Sequence, residues 1–600
     1  MQRLLGGPVG LYLACCLSLP VAAELDLAPI DAEQWDAAHA AHLLSRAGFG
    51  GTPQEVRALA TMSPDNAVGL MVDGSKRRAN NSEFQHSGVF EPGLDPFPPS
   101  RPATTAMAKA QGEALGVKVK AGGNRPLQPV VNKFFYWLRA SRLETDRVAY
   151  WWANRMLLSE QPLEEKMALF WHGHFATNED KVRDYRKMLL QLQTFQALGL
   201  GSFRELLIAL AQDPAMLVFL DAGVNTKDSP NENFAREIME LFSMGVGNYG
   251  EADVQEAARA FTGWNVQGLQ FVVNEAQHDT TQKTFLGHQG NFDGEEIIDL
   301  ILQQPVTAEF IGSKIYRYFV SDALQSADQE QLGSLLRELD YNVGEYLRVL
   351  LLSRDFYSPD KRGERIKGPV EMMISTYRRM GLSEVPGVPD FNVVSGALGQ
   401  RLMHPPTVAG WSEGRSWITP SLMFERGNFV LDVLFPDIGF VPPDRYPSYT
   451  AEIVNVQNRL RQGMSVSAAT KPTGVDSDST GMAASNMLTD ADEDFNTRLG
   501  SMRGWQMALE RVQPIPRRPA KLNLAEQVLQ HELTTVAQVI DYWESLFFSV
   551  ALNPEVKADL VRTLRSELGT DNLIDAQSYM EEPLRKVLHQ MLSLPEYQLG

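Results

Sequence analysis

Most of the chain carries apolar residues at the spacing of amphipathic helices. In the stretch 229–242, Phe234, Ile238 and Leu241 recur at positions i, i+4 and i+7, which places them on one buried stripe. The same period predicts further helices over 132–158, 162–171, 181–220, 251–264, 306–319, 328–353, 369–380, 535–565 and 577–593. The sequence therefore predicts a mainly α fold: a large helical domain with a small β-hairpin and a C-terminal helical extension.

The helix over 229–242 also carries a start signal. Ser229 is predicted to be its N-cap residue, Pro230 its first helical residue, and Glu232 the side chain that completes a capping box. In such a box two side chains bond backbone N–H groups that the first turn leaves unpaired. Because a capping role already explains Glu232, we do not assign it a catalytic role.

Two stretches interrupt the helical pattern with β-branched and aromatic residues. They are Gln270 to Asn274 and Thr284 to Leu286, and they are predicted to pair as one hairpin around a polar turn.

Two other stretches, 87–127 and 463–495, have no hydrophobic period and are rich in Pro, Gly and small residues. The predicted organisation is a signal peptide (1–23), a main helical domain (24–436) with a mobile insert (87–127), a connecting segment (437–462), a flexible linker (463–495) and a C-terminal helical segment (496–600).

Residues 1–23 have the composition of a secretory signal peptide. Arg3 precedes an apolar stretch centred on 11–19, and Val21 and Ala23 have the spacing of a signal-peptidase site. This apolar stretch is shorter than the roughly 20 residues that span a bilayer. We therefore predict cleavage after Ala23, a periplasmic or secreted location, and no transmembrane segment in the mature chain.

Composition narrows the classes of function. The chain has 55 Lys and Arg against 74 Asp and Glu, a net charge of -19, which disfavours binding to nucleic acid. The 2 cysteines, Cys15 and Cys16, lie in the predicted leader, so the mature chain has no thiol for a disulfide, a nucleophile or a metal. The Walker loop and the zincin helix are both missing from the sequence.

Histidines provide the candidate metal ligands. His172 and His174 flank Gly173, where the helix that opens at Pro162 is predicted to stop, so that both rings can face the same side. With His278 they form the smallest ligand set for a divalent metal such as zinc, completed by Asp279 or a Glu. The alternative is that each ring caps a helix or bonds a backbone carbonyl beneath a loop.

Charged residues near these histidines supply candidate catalytic groups. Glu237 is a candidate general base or metal ligand, and Arg236 or Arg259 could neutralise negative charge that develops in a reaction. Arg236 also lies four residues before Glu240, so an ordinary ion pair on one helix face explains part of this pattern. The predicted catalytic set is Glu237, Asp279, Arg236 and Arg259.

Taken together, these motifs resemble one bacterial family, known as domain of unknown function 1800. The resemblance runs over about residues 35–436 and is carried by the segments 42–50, 165–175, 213–217, 230–242, 258–264, 278–279, 367–371 and 410–418. It implies an exported bacterial protein, often encoded beside an exported sulfatase-like protein, and it implies no particular activity. Where the family tends to have Thr before the helix of Asp253, this chain has Gly250, a weaker N-cap.

Two hypotheses of different classes follow. The first is an exported enzyme, assisted by a divalent metal, that acts on an envelope or extracellular polymer. The second is a non-catalytic periplasmic scaffold that binds a glycan or a protein partner such as the sulfatase-like protein, with the polar motifs joining its loops. An enzyme requires its polar groups to converge on one site, whereas a scaffold can distribute them as separate caps.

Overall fold

The computed structural model describes residues 25–73, 83–91, 128–436 and 497–600. Within these ranges the chain is mainly α, as the periodicity predicts. The predicted signal peptide, the connecting segment 437–462, the linker 463–495 and all but the first residues of the 87–127 insert lie outside the described residues.

The two short sheets lie in the part of the chain that also contains the first thirteen helices. In chain order they are α1 (Ala37–Arg46), α2 (Pro53–Ala60), α3 (Pro64–Asp73), α4 (Gln128–Leu158), α5 (Pro162–His174), α6 (Glu179–Val182), α7 (Tyr185–Leu198), α8 (Phe203–Ala211), α9 (Pro214–Phe219), α10 (Glu232–Met239), α11 (Glu251–Ala260), α12 (Gly294–Gln303) and α13 (Pro305–Phe319).

The remaining helices complete the central part and form the C-terminal segment. They are α14 (Ser326–Glu338), α15 (Val343–Leu352), α16 (Arg354–Tyr357), α17 (Pro369–Arg379), α18 (Phe391–Ala397), α19 (Pro420–Leu434), α20 (Thr497–Arg511), α21 (Leu524–Gln530), α22 (Val536–Phe547), α23 (Pro554–Leu568) and α24 (Glu581–Leu592).

Capping residues divide the longest predicted helix. The stretch 181–220 is not one helix, because side chains within it end one helix and start the next. The Ser202 side chain accepts the Glu205 N–H at the start of α8. The Asp213 carboxylate accepts two N–H groups at the start of α9, at 3.0 and 2.9 Å. Such caps satisfy the unpaired donors of a first turn, so they favour a new helix over a continuous one.

The helix predicted over 229–242 begins later than its capping signal indicated. Asn231, not Ser229, is the N-cap residue, and its side chain accepts the Asn233 N–H at 3.0 Å. The Asn231 N–H is itself bonded to the Asn225 side chain. Glu232 forms no capping box and instead pairs with Arg236 at 3.0 Å. The predicted apolar stripe remains, because Phe234 and Ile238 are buried.

The strand residues form two hairpins, so the prediction of a single hairpin is wrong. Strand β1 (Trp264–Gln267) pairs with β2 (Gln270–Val273), and β3 (Lys283–Phe285) pairs with β4 (His288–Gly290), both antiparallel. Gly268 begins the first two-residue turn with a positive φ, and Leu286 and Gly287 both have positive φ in the second. These tight turns return each strand onto its nearest neighbour in the chain.

The C-terminal segment shares the core of the preceding helices. Helix α20 packs along α4, with Trp505 buried between them. The approach is close at Gly504, where an added Cβ would lie 2.5 Å from the backbone carbon of Phe135. Residues from α1 through α24 therefore join one continuous set of buried apolar side chains.

Buried charged side chains join distant parts of the chain. Arg46 at the end of α1 donates to the carbonyl oxygens of Phe319, Val320 and Gly600 at 2.9, 2.6 and 3.0 Å. In the first turn of α17, Glu371 pairs with Lys166 at 2.8 Å and also with Arg365. Buried charges are tolerated when they are paired and hydrogen-bonded in this way.

Helix length and composition bear on membrane insertion. Among the described residues, no helix combines the length and the apolar character required to cross a bilayer.

Candidate metal centre

The two neighbouring histidines lie on one continuous helix. Helix α5 runs through Gly173 to His174, and its last turn is closed by the Phe175 N–H on the Trp171 carbonyl at 2.7 Å. The helix therefore does not stop where Gly173 was expected to end it. Residues two apart on a helix point about 200° apart. The rings of His172 and His174 consequently reach different neighbours.

His172 anchors a loop from the central part of the chain. Its ring is buried among aromatic side chains that include Trp152 and Trp411. Nε2 accepts the backbone N–H of Met403 at 3.0 Å. Burial lowers the pKa of His172 to about 3, so the ring is neutral at physiological pH.

Both ring nitrogens of His174 contact groups that His172 does not reach. Nε2 lies 3.1 Å from the Phe242 carbonyl oxygen, and Nδ1 lies 3.1 Å from Nζ of Lys314. A neutral ring that donates from Nε2 to the carbonyl and accepts the Lys314 ammonium at Nδ1 satisfies both contacts. Burial, reinforced by the charge of Lys314, lowers the pKa of His174 well below its ordinary value.

The buried, neutral His174 is expected to lower the free energy of unfolding in mild acid. Below about pH 6.5 the unfolded chain protonates this imidazole and the folded chain does not, so the free energy of unfolding falls by up to about 1.4 kcal/mol per pH unit. In His174→Gln this contribution is absent, and stability should fall correspondingly less steeply between pH 6.5 and 5. Urea unfolding of both proteins across this range measures the difference. Parallel curves for the two proteins contradict the expectation.

His278 and Asp279 hold the loop between the two hairpins. Nδ1 of His278 lies 2.8 Å from the Thr262 carbonyl oxygen. Asp279 accepts Nε of Arg259 at 2.8 Å, and Arg259 also pairs with Glu256. Burial raises the pKa of Asp279, but the hydrogen bonds from Arg259 and Thr281 outweigh it and hold that pKa well below its usual range.

Glu237 and Arg236 lie at the partly exposed surface of α10. Arg236 pairs with Glu232 at 3.0 Å and with Glu251 at 2.7 Å rather than with Glu240. Burial and the charge of Glu240 raise the pKa of Glu237.

Of the predicted site residues, the structure brings Asp279 and Arg259 together as an ion pair. It does not bring His172, His174 and His278 together, because their bonds lead to separate parts of the fold.

A different set of ligand atoms does converge. In the part of the chain that the structure describes, one group of three His or carboxylate side chains has its ligand atoms within 4.8 Å of one another: Glu179, Asp180 and His404. Nδ1 of His404 lies 3.6 Å from a carboxylate oxygen of Asp180. One imidazole nitrogen and two carboxylates are ligands that zinc, manganese and iron accept.

Local structure positions this group from two segments. Glu179 and Asp180 open α6, where the Asn178 side chain caps the helix by accepting the Asp180 N–H at 2.8 Å. The loop that carries His404 is fixed to the same turn, since the Glu179 N–H donates to the Met403 carbonyl at 3.0 Å. Nδ2 of Asn178 donates to the Pro405 carbonyl at 2.9 Å. His172, through its own bond to Met403, supports this loop from the other side.

The imidazole of His404 lies beside Asp180, just beyond hydrogen-bond distance, and has no closer partner in the described chain. The side chain of His404 is 6% exposed, and neither Nδ1 nor Nε2 bonds any group of the described chain. Buried polar atoms are nearly always bonded, so an unpartnered imidazole requires an explanation. A buried imidazole that faces two carboxylates without a close hydrogen bond to either is an arrangement that a metal ligand adopts.

The charges of the group favour a cation. Burial and the charge of Asp180 raise the pKa of Glu179 to about 8, although the Ser141 hydroxyl donates to it at 3.0 Å. His404 lowers the pKa of Asp180 to about 2. Two adjacent carboxylates repel each other when both are ionised, and a bound cation removes that repulsion. The Asp180 side chain is 63% exposed, so a metal here would face solvent.

No sequence signal marked this group. Its carboxylates follow the motif over 165–175 by a few residues, and His404 precedes the one over 410–418. Each motif is visible by itself, but no periodicity shows that residues 179 and 404 meet. The contact depends on the tertiary placement of the loop around Met403.

Fold and site together define a mainly helical protein with a buried histidine and carboxylate group between an early helix and a central loop. The chain belongs to a family: the model of the family "Protein of unknown function (DUF1800)" matches residues 42–599. The match extends through the C-terminal segment, beyond the span of about 35–436 that the motifs indicated. No curated protein and no solved structure matches the chain.

Proposed function

We propose that this chain is an exported, metal-assisted hydrolytic enzyme in which Glu179, Asp180 and His404 hold one divalent cation. The observation that carries the proposal is the unpartnered His404 imidazole beside two carboxylates. A divalent cation at such a site lowers the pKa of a bound water and makes it a nucleophile near neutral pH. The predicted secretory leader favours an envelope or extracellular polymer as the substrate.

Arg401, three residues before His404, links the group to a neighbouring cleft. A cleft of about 310 Å³ is lined by Asn392, Val393, Gly396 and Arg401. Arg401 bonds Asp146 at 2.8 Å, and its charge acts on both Asp180 and His404. A guanidinium at this place stabilises negative charge that develops on a substrate during hydrolysis.

Metal content tests the ligand assignment. We expect purified protein, loaded with Zn²⁺ or Mn²⁺ and then dialysed, to retain about one metal per chain, and His404→Ala and Glu179→Gln to retain none. His174→Gln is the matched control, because it alters another buried histidine whose two nitrogens are already bonded. A wild type without stoichiometric metal, or equal metal loss in His174→Gln, contradicts the assignment.

Stability and turnover separate a catalytic metal from a structural one. Metal at about 100 times its Kd should stabilise the wild type by about 2.7 kcal/mol and leave His404→Ala unchanged. Metal-loaded wild type should also hydrolyse chromogenic ester, amide or glycoside substrates, with the rate lost in His404→Ala. Metal binding without hydrolysis of any of these supports the scaffold hypothesis with a structural metal.

A further inference from the structure

A second cavity lies between the N-terminal helices and a helix of the C-terminal segment. Its volume is about 510 Å³, and its walls come from α1, α2 and α22, with residues around 362, 379 and 549. It shares no lining residue with the group formed by Glu179, Asp180 and His404. Whatever this cavity binds is therefore independent of the proposed metal centre.

Three arginines line the cavity without an acidic neighbour. They are Arg57, Arg362 and Arg379, and no Asp or Glu of the described chain lines the cavity with them. Within the described residues, none of the three has a carboxylate oxygen within ion-pair distance. Other cations of the described chain do have such partners: Arg378 pairs with Glu55, for example. The cavity is thus a local concentration of positive charge in a chain with a net charge of -19.

The arginines differ in how many of their donors are already used. Arg379 is buried and fixed, with Nη1 on the Phe547 carbonyl and Nη2 on the Ser45 hydroxyl, both at 2.9 Å. Arg362 has a buried Nε without any partner, and its one bond, from Nη2 to the Tyr357 carbonyl, is long at 3.5 Å. Arg57 is exposed at the rim. Arg362 and Arg57 therefore retain donors for a ligand.

The rest of the wall suits an organic molecule rather than a bare ion. Val56, Leu546 and Phe548 offer apolar surface. Tyr542 and Ser545 also line the wall, with their hydroxyl groups bonded to His531 and to the Tyr542 carbonyl. Binding sites for small organic molecules combine apolar walls with a few convergent polar groups, and their volumes begin at about 300 Å³. Guanidinium groups bind carboxylate, phosphate and sulfate oxygens through paired hydrogen bonds.

We propose that this cavity binds a small organic molecule that carries an oxyanion group, with Arg362 and Arg57 as its anion ligands. The apolar side holds the remainder of the molecule. Because α22 supplies one wall, the C-terminal segment is required for the site. Phosphate, sulfate and carboxylate share the chemistry that these arginines recognise, and the experiment distinguishes them.

Calorimetric titration at constant ionic strength tests the proposal with four probes: inorganic phosphate, inorganic sulfate, glucuronate and uncharged glucose. At least one oxyanion should bind the wild type with about one site per chain, and glucose should bind at least 10-fold more weakly than glucuronate. In Arg362→Gln the Kd for the bound anion should rise at least 10-fold. Arg354→Gln is the matched control, because Arg354 is a nearby exposed arginine that pairs with Asp31 and lies outside the cavity.

Arg57→Gln keeps the test informative if Arg362→Gln fails to fold, since Arg57 is exposed and removing it disturbs no packing. It should weaken anion binding at least threefold. The proposal is overturned if no anion binds at millimolar concentration, if Arg354→Gln weakens binding as much as the cavity variants do, or if both cavity variants bind like the wild type.

Discussion

Glu371→Gln is expected to lower the free energy of unfolding by about 3–5 kcal/mol. Glu371 is buried on α17, where it pairs with Lys166 at 2.8 Å and with Arg365. Burial raises its pKa, but Arg365 and Lys166 outweigh that effect and hold the pKa well below its usual range. The carboxylate is therefore ionised, and glutamine in its place leaves two buried cations without a counter-charge.

Urea unfolding of Glu371→Gln and wild type measures this loss. Asp299→Asn is the matched control, because it removes the carboxylate of an exposed pair with Arg204 at 2.6 Å. Exposed pairs contribute about 0–1 kcal/mol, so this variant should remain close to the wild type. Replacing Lys166 by Met in the Glu371→Gln background should recover part of the loss, since it removes one of the unpaired cations. Equal losses in Glu371→Gln and Asp299→Asn contradict the expectation.

Gly410→Ala is expected to lower the free energy of unfolding by about 2–5 kcal/mol, through backbone strain and overpacking together. Gly410 has φ +86, a conformation that residues with a Cβ rarely adopt, and an added Cβ would lie 2.1 Å from the Gly173 carbonyl oxygen. The facing helix α5 cannot move freely, because nearly all of its side chains are buried. The loop that carries Gly410 must therefore shift.

Gly173→Ala is the control from the same contact. An added Cβ there would lie 3.7 Å from the Trp411 ring, an ordinary packing distance. Alanine is a better helix former than glycine, so this variant should gain about 0.5–1 kcal/mol. Thermal or urea unfolding compares the two variants. A loss in Gly173→Ala as large as that in Gly410→Ala shows that the helix itself, not the loop, limits this contact.

The helical fold was predictable because its signals are local. An apolar stripe such as Phe234 and Ile238 is visible within two turns, and α4, α13 and α17 lie close to their predicted bounds. Helix ends were less accurate, since the sequence alone did not show that Asn231 would replace Ser229 as the N-cap. The hairpin prediction failed for a related reason: the strand residues were recognised, but the turns at Gly268 and Gly287 that select their partners were not.

The candidate site was less predictable than the fold. His172 and His174 stand out as a pair, yet Gly173 does not end their helix, so the two rings serve separate structural contacts. The three residues that do converge are unremarkable in sequence. His404 differs from a surface histidine only because the loop around it is fixed by Glu179, Asn178 and His172. Such a difference exists only in the folded chain.

The bonds of Arg46 set an order for events during synthesis. The carbonyl groups that this guanidinium binds lie 273, 274 and 554 positions further along the chain. A ribosome completes α1 early, but two of these acceptors follow only at the end of α13, and the third lies at residue 600. Contacts between such distant residues are slow to form, because a long loop must close first. The Arg46 guanidinium therefore obtains two of its acceptors only when α13 is complete and the third later still, so the burial of this side chain is completed late in folding.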